Sequence, residues 1–374
     1  MTPKLKILFA NSIQMFAGGE IWMLSTMQEL RNRGHEITLL CRPNTELARR
    51  AQALNFNLFQ LPIRGDFDPV TIFQIYKWLK NHETDIILTN MDKELRLCGM
   101  AAKFVKPRPV VISRRGIDYP LKNKIHYRFS YNTLADFIVA NSKSTKQALL
   151  KNAPWLNPDR IQVIYNGVNP EKYQPENTGN LRSEFNIAPN APLIGFVGQL
   201  DERKGLDNLF PAFKKITQAI PDAVLLIVGT GVLQQRIETF IVQNRLERNI
   251  RLAGFRNDIP NIMRTIDLLV LPSWWEGFGI VIIEAMAAGK PVITTNVSSM
   301  PEIVIHGQTG LVVPVKDDAE LYQAMLELVQ NLDKAGRMGA QGREVVLEKF
   351  TITGMIDQYL ALFNKLHHYR KSGI

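Results

Sequence analysis

The sequence has little of what would place it outside ordinary globular proteins. Only two of its 374 residues are cysteines, Cys41 and Cys98, far apart and with no CxxC pair. That excludes a disulfide scaffold and argues against a structural zinc site. Long apolar runs are also missing. Stretches such as 223–228 and 280–283 fall well short of the roughly 20 residues a membrane-spanning helix needs. The opening MTPKLKILFANS is too briefly apolar for a secretory leader and shows no cleavage-site pattern. A cytoplasmic protein is the expectation, peripheral at most to the inner face of a membrane. No low-complexity tract occurs. Hydrophobic residues at 45% and charged residues at 21% exclude the disordered and collagenous classes. The length points to two domains.

Acidic excess is absent as well, and the net charge of +10 is unevenly spread. Up to Pro170 there are 24 Lys and Arg against 13 Asp and Glu; from Glu171 on, 21 against 22. The first half therefore carries all the positive excess. Basic residues concentrate between Lys103 and Arg128, interleaved with Phe104, Tyr119, Tyr127 and Phe129. An anionic partner fits this half: a membrane surface or a phospholipid-linked substrate. The plainer account is a solubilising surface. Nucleic acid is not expected, because no helix-turn-helix, RNA-recognition or zinc-finger signature occurs.

What is present is a regular alternation. Short β-branched runs at 6–10, 36–40, 57–61, 85–89, 110–113, 137–140 and 161–165 are separated by amphipathic stretches at 20–33, 45–54, 69–81, 93–105, 122–134 and 143–151. The second half repeats the scheme, with strand-like runs at 193–197, 223–228, 250–252, 268–271, 291–294 and 310–312. Helix-like stretches lie between them at 205–219, 232–243, 260–265 and 280–288, and a last one follows at 318–330. Strands this uniformly apolar are buried on both faces, as in a parallel sheet covered by crossover helices. Two doubly wound, Rossmann-like α/β domains follow. The turn cluster Asn166-Gly167-Val168-Asn169-Pro170 divides them, giving domains at 1–168 and 169–354. A closing helix at 355–374 has no strand after it and is expected to pack back on the first domain.

Ligands of open parallel sheets bind at the carboxyl ends of the strands, so the loops there carry the chemistry. Gly18-Gly19-Glu20 follows the first strand and opens a helix, which suits an oxyanion. It is not a P-loop, because no Gly-Lys-Ser/Thr follows. After the first strand of the second domain come Gly198-Gln-Leu-Asp-Glu-Arg203-Lys204-Gly205. Adjacent cations there can neutralise a diphosphate and stabilise it as a leaving group. Leu252-Ala-Gly-Phe255-Arg256 could pair with a base edge, although taken alone an ordinary strand-to-helix loop explains it better. The strongest signal is Ser273-Trp-Trp-Glu276-Gly-Phe278-Gly279-Ile280, continuing into an apolar helix that contains Glu284. Eight residues at helical rise would separate the two carboxylates by ~12 Å, too far for an acid/base pair on one bond but the reach from a sugar across a diphosphate to a ribose. Asp66-Phe67-Asp68 matches a metal-binding DxD, but Asp68 precedes Pro69 and reads as a helix cap.

Taken together, GGE, NGV, VGxL…RKG, VGTG and above all EGFGIVIIEAMAAGKPVI…PEIV…TGLVVP resemble the family 4 retaining glycosyltransferases (group 1), which have the GT-B fold. The resemblance covers nearly the whole chain and is most specific from Gly195 to Pro314. It implies transfer of a sugar from a UDP- or GDP-linked donor with retained configuration, no cofactor and no metal. Glu276 would contact the donor sugar and Glu284 the ribose. Arg203 and Lys204 would bind the diphosphate, beside Gly198. Gly18 and Gly19 would face the phosphates from the first domain. Phe278, Gly279 and Ile280 would offer backbone N–H groups, and Phe255 and Arg256 would lie near the base. Gln199 stands where many members have Arg, and Ile-Ser-Arg114-Arg115-Gly116 where many have His, so Arg114 or Arg115 is a candidate contact for donor or acceptor.

The expected acceptor is lipid-linked or a saccharide, in envelope polysaccharide, lipopolysaccharide or glycolipid synthesis. Two alternatives stand beside it: a GT-B-like nucleotide-sugar epimerase, and a sugar-nucleotide-binding protein without turnover.

Overall fold

The structure is a computed structural model that describes residues 4–174 and 181–371. The last residues of the expected closing helix, Ser372 to Ile374, lie outside the described residues, as does the start of the chain before Lys4. Two compact units emerge: Met1–Asn166 with Ile352–Ile374, and Gly167–Thr351.

The first unit is built on seven parallel strands: β1 (Lys6–Asn11), β2 (Glu36–Cys41), β3 (Asn57–Gln60), β4 (Ile86–Thr89), β5 (Val110–Arg115), β6 (Phe137–Ala140) and β7 (Ile161–Val163). Their order is β3-β2-β1-β4-β5-β6-β7. β4 is buried at every position, which is why its sequence is apolar without alternation. The second unit holds β8 (Leu193–Val197), β9 (Val224–Val228), β10 (Ile250–Gly254), β11 (Leu268–Leu271), β12 (Val292–Thr295) and β13 (Gly310–Val313), ordered β10-β9-β8-β11-β12-β13. Every pairing in both sheets is parallel. Strand order reverses direction between β1 and β4 in the first sheet and between β8 and β11 in the second. The crevices beyond those strand ends are where such sheets take ligands.

Several boundaries differ from the sequence reading, each for a local reason. β5 runs two residues further than expected, so Arg114 and Arg115 belong to the strand and not to the loop after it. The expected helix at 122–134 starts only at Ile125 and ends in a π-turn, Ser130–Leu134, whose Ser130 hydroxyl donates back to the His126 carbonyl at 2.6 Å. A helix at Leu332–Lys349 was not anticipated. Its Gly336, Gly339 and Gly342 look like breakers, but a Cβ on Gly339 would come within 1.9 Å of the Gly289 carbonyl oxygen, so glycine is there for close packing.

Asp68 caps the helix Pro69–Asn81, accepting from Val70 N at 3.3 Å and from the Thr71 hydroxyl, while Asp66 pairs with Arg96. The helix Ile352–Lys371 packs on the first unit. Trp22 Nε1 donates to the Met355 sulfur at 3.2 Å, the Trp22 and Tyr359 rings lie 6.0 Å apart, and Arg33 pairs with Asp357. No described helix is long and apolar enough to cross a membrane.

Candidate functional site

In the second unit the loops after β8 and β11 meet at the point where strand order reverses. Gly205, with φ +66°, closes the turn Glu202–Lys204; a Cβ there would sit 1.9 Å from the Pro272 carbonyl oxygen just after β11. Only glycine permits that approach. The Trp274 amide then donates to the Arg203 carbonyl at 2.8 Å, which fixes the two loops side by side. Gly198 holds a second close contact, with its amide on the Val228 carbonyl and its own carbonyl 1.9 Å from where a Cβ of Gly229 would be.

This arrangement brings Lys204 and Glu276 together. They are 7% and 9% exposed, and Lys204 Nζ donates to Glu276 Oε2. The other carboxylate oxygen accepts from the Gly277 amide at 3.1 Å, and the Glu276 amide donates to the Ser298 hydroxyl at 3.3 Å. A buried carboxylate and ammonium must be paired or give up their charge, so the pair is held as a unit. Arg203 points elsewhere. It pairs with Asp201 at 2.9 Å, reaches Gln199 Oε1 at 3.4 Å and lies 5.7 Å from the Trp275 ring. A cation thus does sit beside Gln199, although Asp201 balances it.

Glu284 lies in the helix Ile280–Ala287, whose other residues are apolar. Sequence reasoning missed its partner. Tyr173, from the turn Pro170–Tyr173, donates its hydroxyl to Glu284 Oε1 at 2.8 Å. Burial pushes the Glu284 carboxyl above the usual carboxylate range, against the pull of the Tyr173 hydrogen bond and of Lys172. Tyr173 is itself pushed well above the ordinary tyrosine value, by burial first and by Glu284 second. The expected ~12 Å separation from Glu276 assumed helix throughout. Gly279 has φ +76° and the helix begins only at Ile280, so half of that interval is not helical. Phe278 turns its ring inward, 6.2 Å from Phe350 and nearly perpendicular to it. Any contact it makes at the loop surface is therefore through its backbone.

Arg256 was expected near the base. Its guanidinium is bound by Asp258 at 2.8 Å and by Glu184, two carboxylates that consume its charge and raise its pKa further. It braces the loop after β10, and Phe255 beside it is exposed.

In the first unit Gly18 and Gly19 open the helix Gly18–Asn32, and Gly18 has open space around it. Glu20 is buried there, accepting from Asn11 Nδ2 at 2.9 Å and from the Ala17 amide at 3.0 Å. Arg114 and Arg115, expected as contacts for donor or acceptor, both have partners within the first unit. Strand alternation turns Arg114 inward, where it is 3% exposed. It donates to Asn90 Oδ1 at 2.9 Å, to Asn166 Oδ1 at 3.1 Å and to the Tyr359 hydroxyl, and it stacks 3.5 Å from the Trp22 ring. Arg115 is tied to Asp92 at 2.9 Å and to the Tyr131 hydroxyl at 3.3 Å.

Known proteins resemble this chain in sequence and in fold. The family model for glycosyl transferases group 1 matches residues 177–345, and that for glycosyltransferase family 4 matches residues 16–172. A curated relative, the Escherichia coli UDP-Gal:alpha-D-GlcNAc-diphosphoundecaprenol alpha-1,3-galactosyltransferase, is 27% identical over 96% of this chain and 97% of its own. Among solved structures, a glycosyltransferase from Rickettsia africae superposes with a TM-score of 0.87 at 22% identity, over 97% of this chain and 98% of that one. HepE of Anabaena in complex with UDP gives 0.85 at 22% identity, over 96% of this chain and all of that one (100%).

Proposed function

The chain belongs to the group 1, family 4 glycosyltransferases of the GT-B fold, and from that premise we propose that it moves a sugar from a UDP- or GDP-linked donor to an acceptor hydroxyl, with retained anomeric configuration and without a metal ion. One observation carries this reading: the buried Lys204–Glu276 pair in the crevice beyond β8 and β11, with Glu284 in the helix that follows. A diphosphate drawn to Lys204 competes for its ammonium and frees Glu276 to accept from sugar hydroxyls. Glu284 accepts from the ribose. The C1–O bond to the diphosphate breaks as the acceptor oxygen bonds C1 on the same face. The acceptor proton passes to a diphosphate oxygen, and the nucleoside diphosphate leaves. Lys204 and the helix start at Ile280 stabilise the charge that grows on the leaving oxygen. Glu276 positions the sugar.

The acceptor we propose is lipid-linked, in envelope polysaccharide or glycolipid synthesis, with the enzyme cytoplasmic and peripheral to an anionic membrane. The Escherichia coli relative acts on a diphosphoundecaprenol substrate by name. The first unit also exposes Phe67, Val70, Phe73, Ile125 and Phe129. Lys122, Lys124 and Arg128 are exposed beside the last two. Apolar residues set among cations suit an anionic bilayer surface.

The test is transfer from labelled UDP- and GDP-sugars to polyprenyl-diphosphate saccharides in EDTA, with the product anomer read by NMR. A product of the donor's own configuration is expected. An inverted product, or donor isomerised without acceptor, contradicts the proposal.

A further inference from the structure

The first sheet has a second concavity, at the end opposite its ligand crevice. Lys6, Glu36 and Asn57 are the first residues of β1, β2 and β3, and Glu83 lies just before β4. Together with Thr38 and the end of the helix Pro69–Asn81 they line a cavity of about 350 Å³, the size of a small-molecule site. β1 has six residues, so about 17 Å of strand separates this cavity from the crevice beyond the carboxyl end.

The aromatic wall of the cavity is preorganised. Trp78 stacks on Phe59 at 5.1 Å and 12°, and on His82 at 4.5 Å and 8°. His82 Nδ1 lies 2.9 Å from the Trp78 carbonyl, which can only accept, so Nδ1 carries the proton and the neutral ring offers Nε2 as an acceptor. Around this stack the polar groups are uncommitted. The Trp78 indole N–H and the side chains of Thr38, Asn57 and Asn81 make no hydrogen bond within the described residues.

Charge and polarity select the ligand. A phosphate would meet Glu36 and Glu83, whose charges already occupy Lys4 at 2.8 Å and Lys6 at 2.7 Å. A lipid would find little apolar surface beyond Ile7 and Leu8. A hydroxyl both donates and accepts, and a carboxamide or carboxylate can take two neighbouring hydroxyls at once. The chemistry that satisfies this lining is a neutral sugar ring, polar at its edge and apolar on its face.

We propose that this cavity is a second saccharide site, which holds a glycan away from the end where sugar is transferred. Asn57, Asn81 and the Trp78 indole N–H bind ring hydroxyls, and Trp78 with His82 forms the wall against the ring. The role rests on the reading above that the enzyme works on saccharides; the binding chemistry rests on the lining alone.

The experiment is fluorine NMR of the full chain carrying 5-fluorotryptophan. Its five tryptophans give five resonances, and Trp78→Phe assigns the one that reports on the cavity. Glucose, galactose, N-acetylglucosamine, lactose and maltose are titrated, with inorganic phosphate and farnesol as probes of other chemistry. The expected result is a saturable shift of the Trp78 signal with at least one saccharide, at a Kd of about 1–10 mM. In Asn57→Ala/Asn81→Ala the same saccharide should bind about tenfold more weakly. The double variant should unfold at the wild-type temperature, because both side chains are exposed and unpaired. A Trp78 signal unmoved by every saccharide, moved equally in the double variant, or moved by phosphate or farnesol in place of a sugar overturns the proposal. Sugar transfer without a Trp78 shift contradicts this inference alone. A Trp78 shift in a protein that transfers no sugar contradicts only the reading above.

Discussion

Lys204 and Glu276 stand 72 residues apart in sequence and meet in one buried hydrogen bond, Nζ to Oε2. The reversal of strand order between β8 and β11 puts them there. Each belongs to a loop that starts at the carboxyl end of its strand, and Gly205 lets those loops touch.

Removing either partner should separate binding from chemistry. Glu276→Ala is expected to lower kcat by roughly 10²–10³ while changing UDP or GDP affinity less than about threefold, as for a group that positions the sugar. Lys204→Ala should weaken the nucleotide by about tenfold or more, because it removes the charge facing the diphosphate. Steady-state kinetics with calorimetric titration checks both. Wild-type turnover in Glu276→Ala would sink the assignment.

Tyr173→Phe should act through pH. The Tyr173 hydroxyl is the larger of the two influences holding the Glu284 carboxyl down against burial. Without it the Glu284 pKa moves further above its unfolded value. A carboxyl raised on folding holds its proton more tightly in the native state. Its contribution to stability is therefore full below the unfolded carboxylate value of about 4.3 and is lost as pH climbs through the folded value. The variant should lose more stability than wild type between acid and neutral pH. The acid limb of its nucleotide affinity should move to higher pH, since a ribose needs the ionised form. Denaturation midpoints and dissociation constants measured across pH 4–8 read the two effects; parallel pH profiles for variant and wild type would contradict them.

The sequence made the sheets legible because strands such as β4, β9 and β11 are buried on both faces and carry almost nothing but apolar residues. The loop holding Glu276 and the helix holding Glu284 were legible too, as glycines and isolated carboxylates in apolar surroundings. The partners were not. Tyr173 sits in an aperiodic stretch 111 positions from Glu284, and nothing local marks it. The orientation of Arg114 depended on β5 continuing two residues past its apolar run, so that alternation carried the guanidinium inward.

Gly205→Ala should show how tightly the β8 and β11 loops are joined. The residue would need φ +66° and a Cβ 1.9 Å from a carbonyl oxygen. Left-handed backbone alone costs roughly 1–2 kcal/mol, and the clash adds to it. A loss above ~2 kcal/mol, or about 4–8 °C in the melting of the second unit, is expected by calorimetry. Nucleotide affinity should fall with it. A variant as stable as wild type would mean the loops do not meet as described.

Arg256→Ala, by contrast, should leave the nucleotide within about threefold of wild type in titration, because Glu184 and Asp258 already consume its charge. A tenfold or larger loss would restore a direct contact with the base.

The most direct test of the central claim is a thermal-shift panel in EDTA with UDP, GDP, ADP, CMP and NAD. A ligand at 100 times its Kd adds ~2.7 kcal/mol to the unit that holds it, a shift of several degrees. A shift with UDP or GDP, retained in EDTA and cut by about half or more in Lys204→Ala, is the predicted result. A shift only with NAD, or none with any nucleotide at saturation, would contradict a metal-free nucleotide-sugar site beyond β8 and β11.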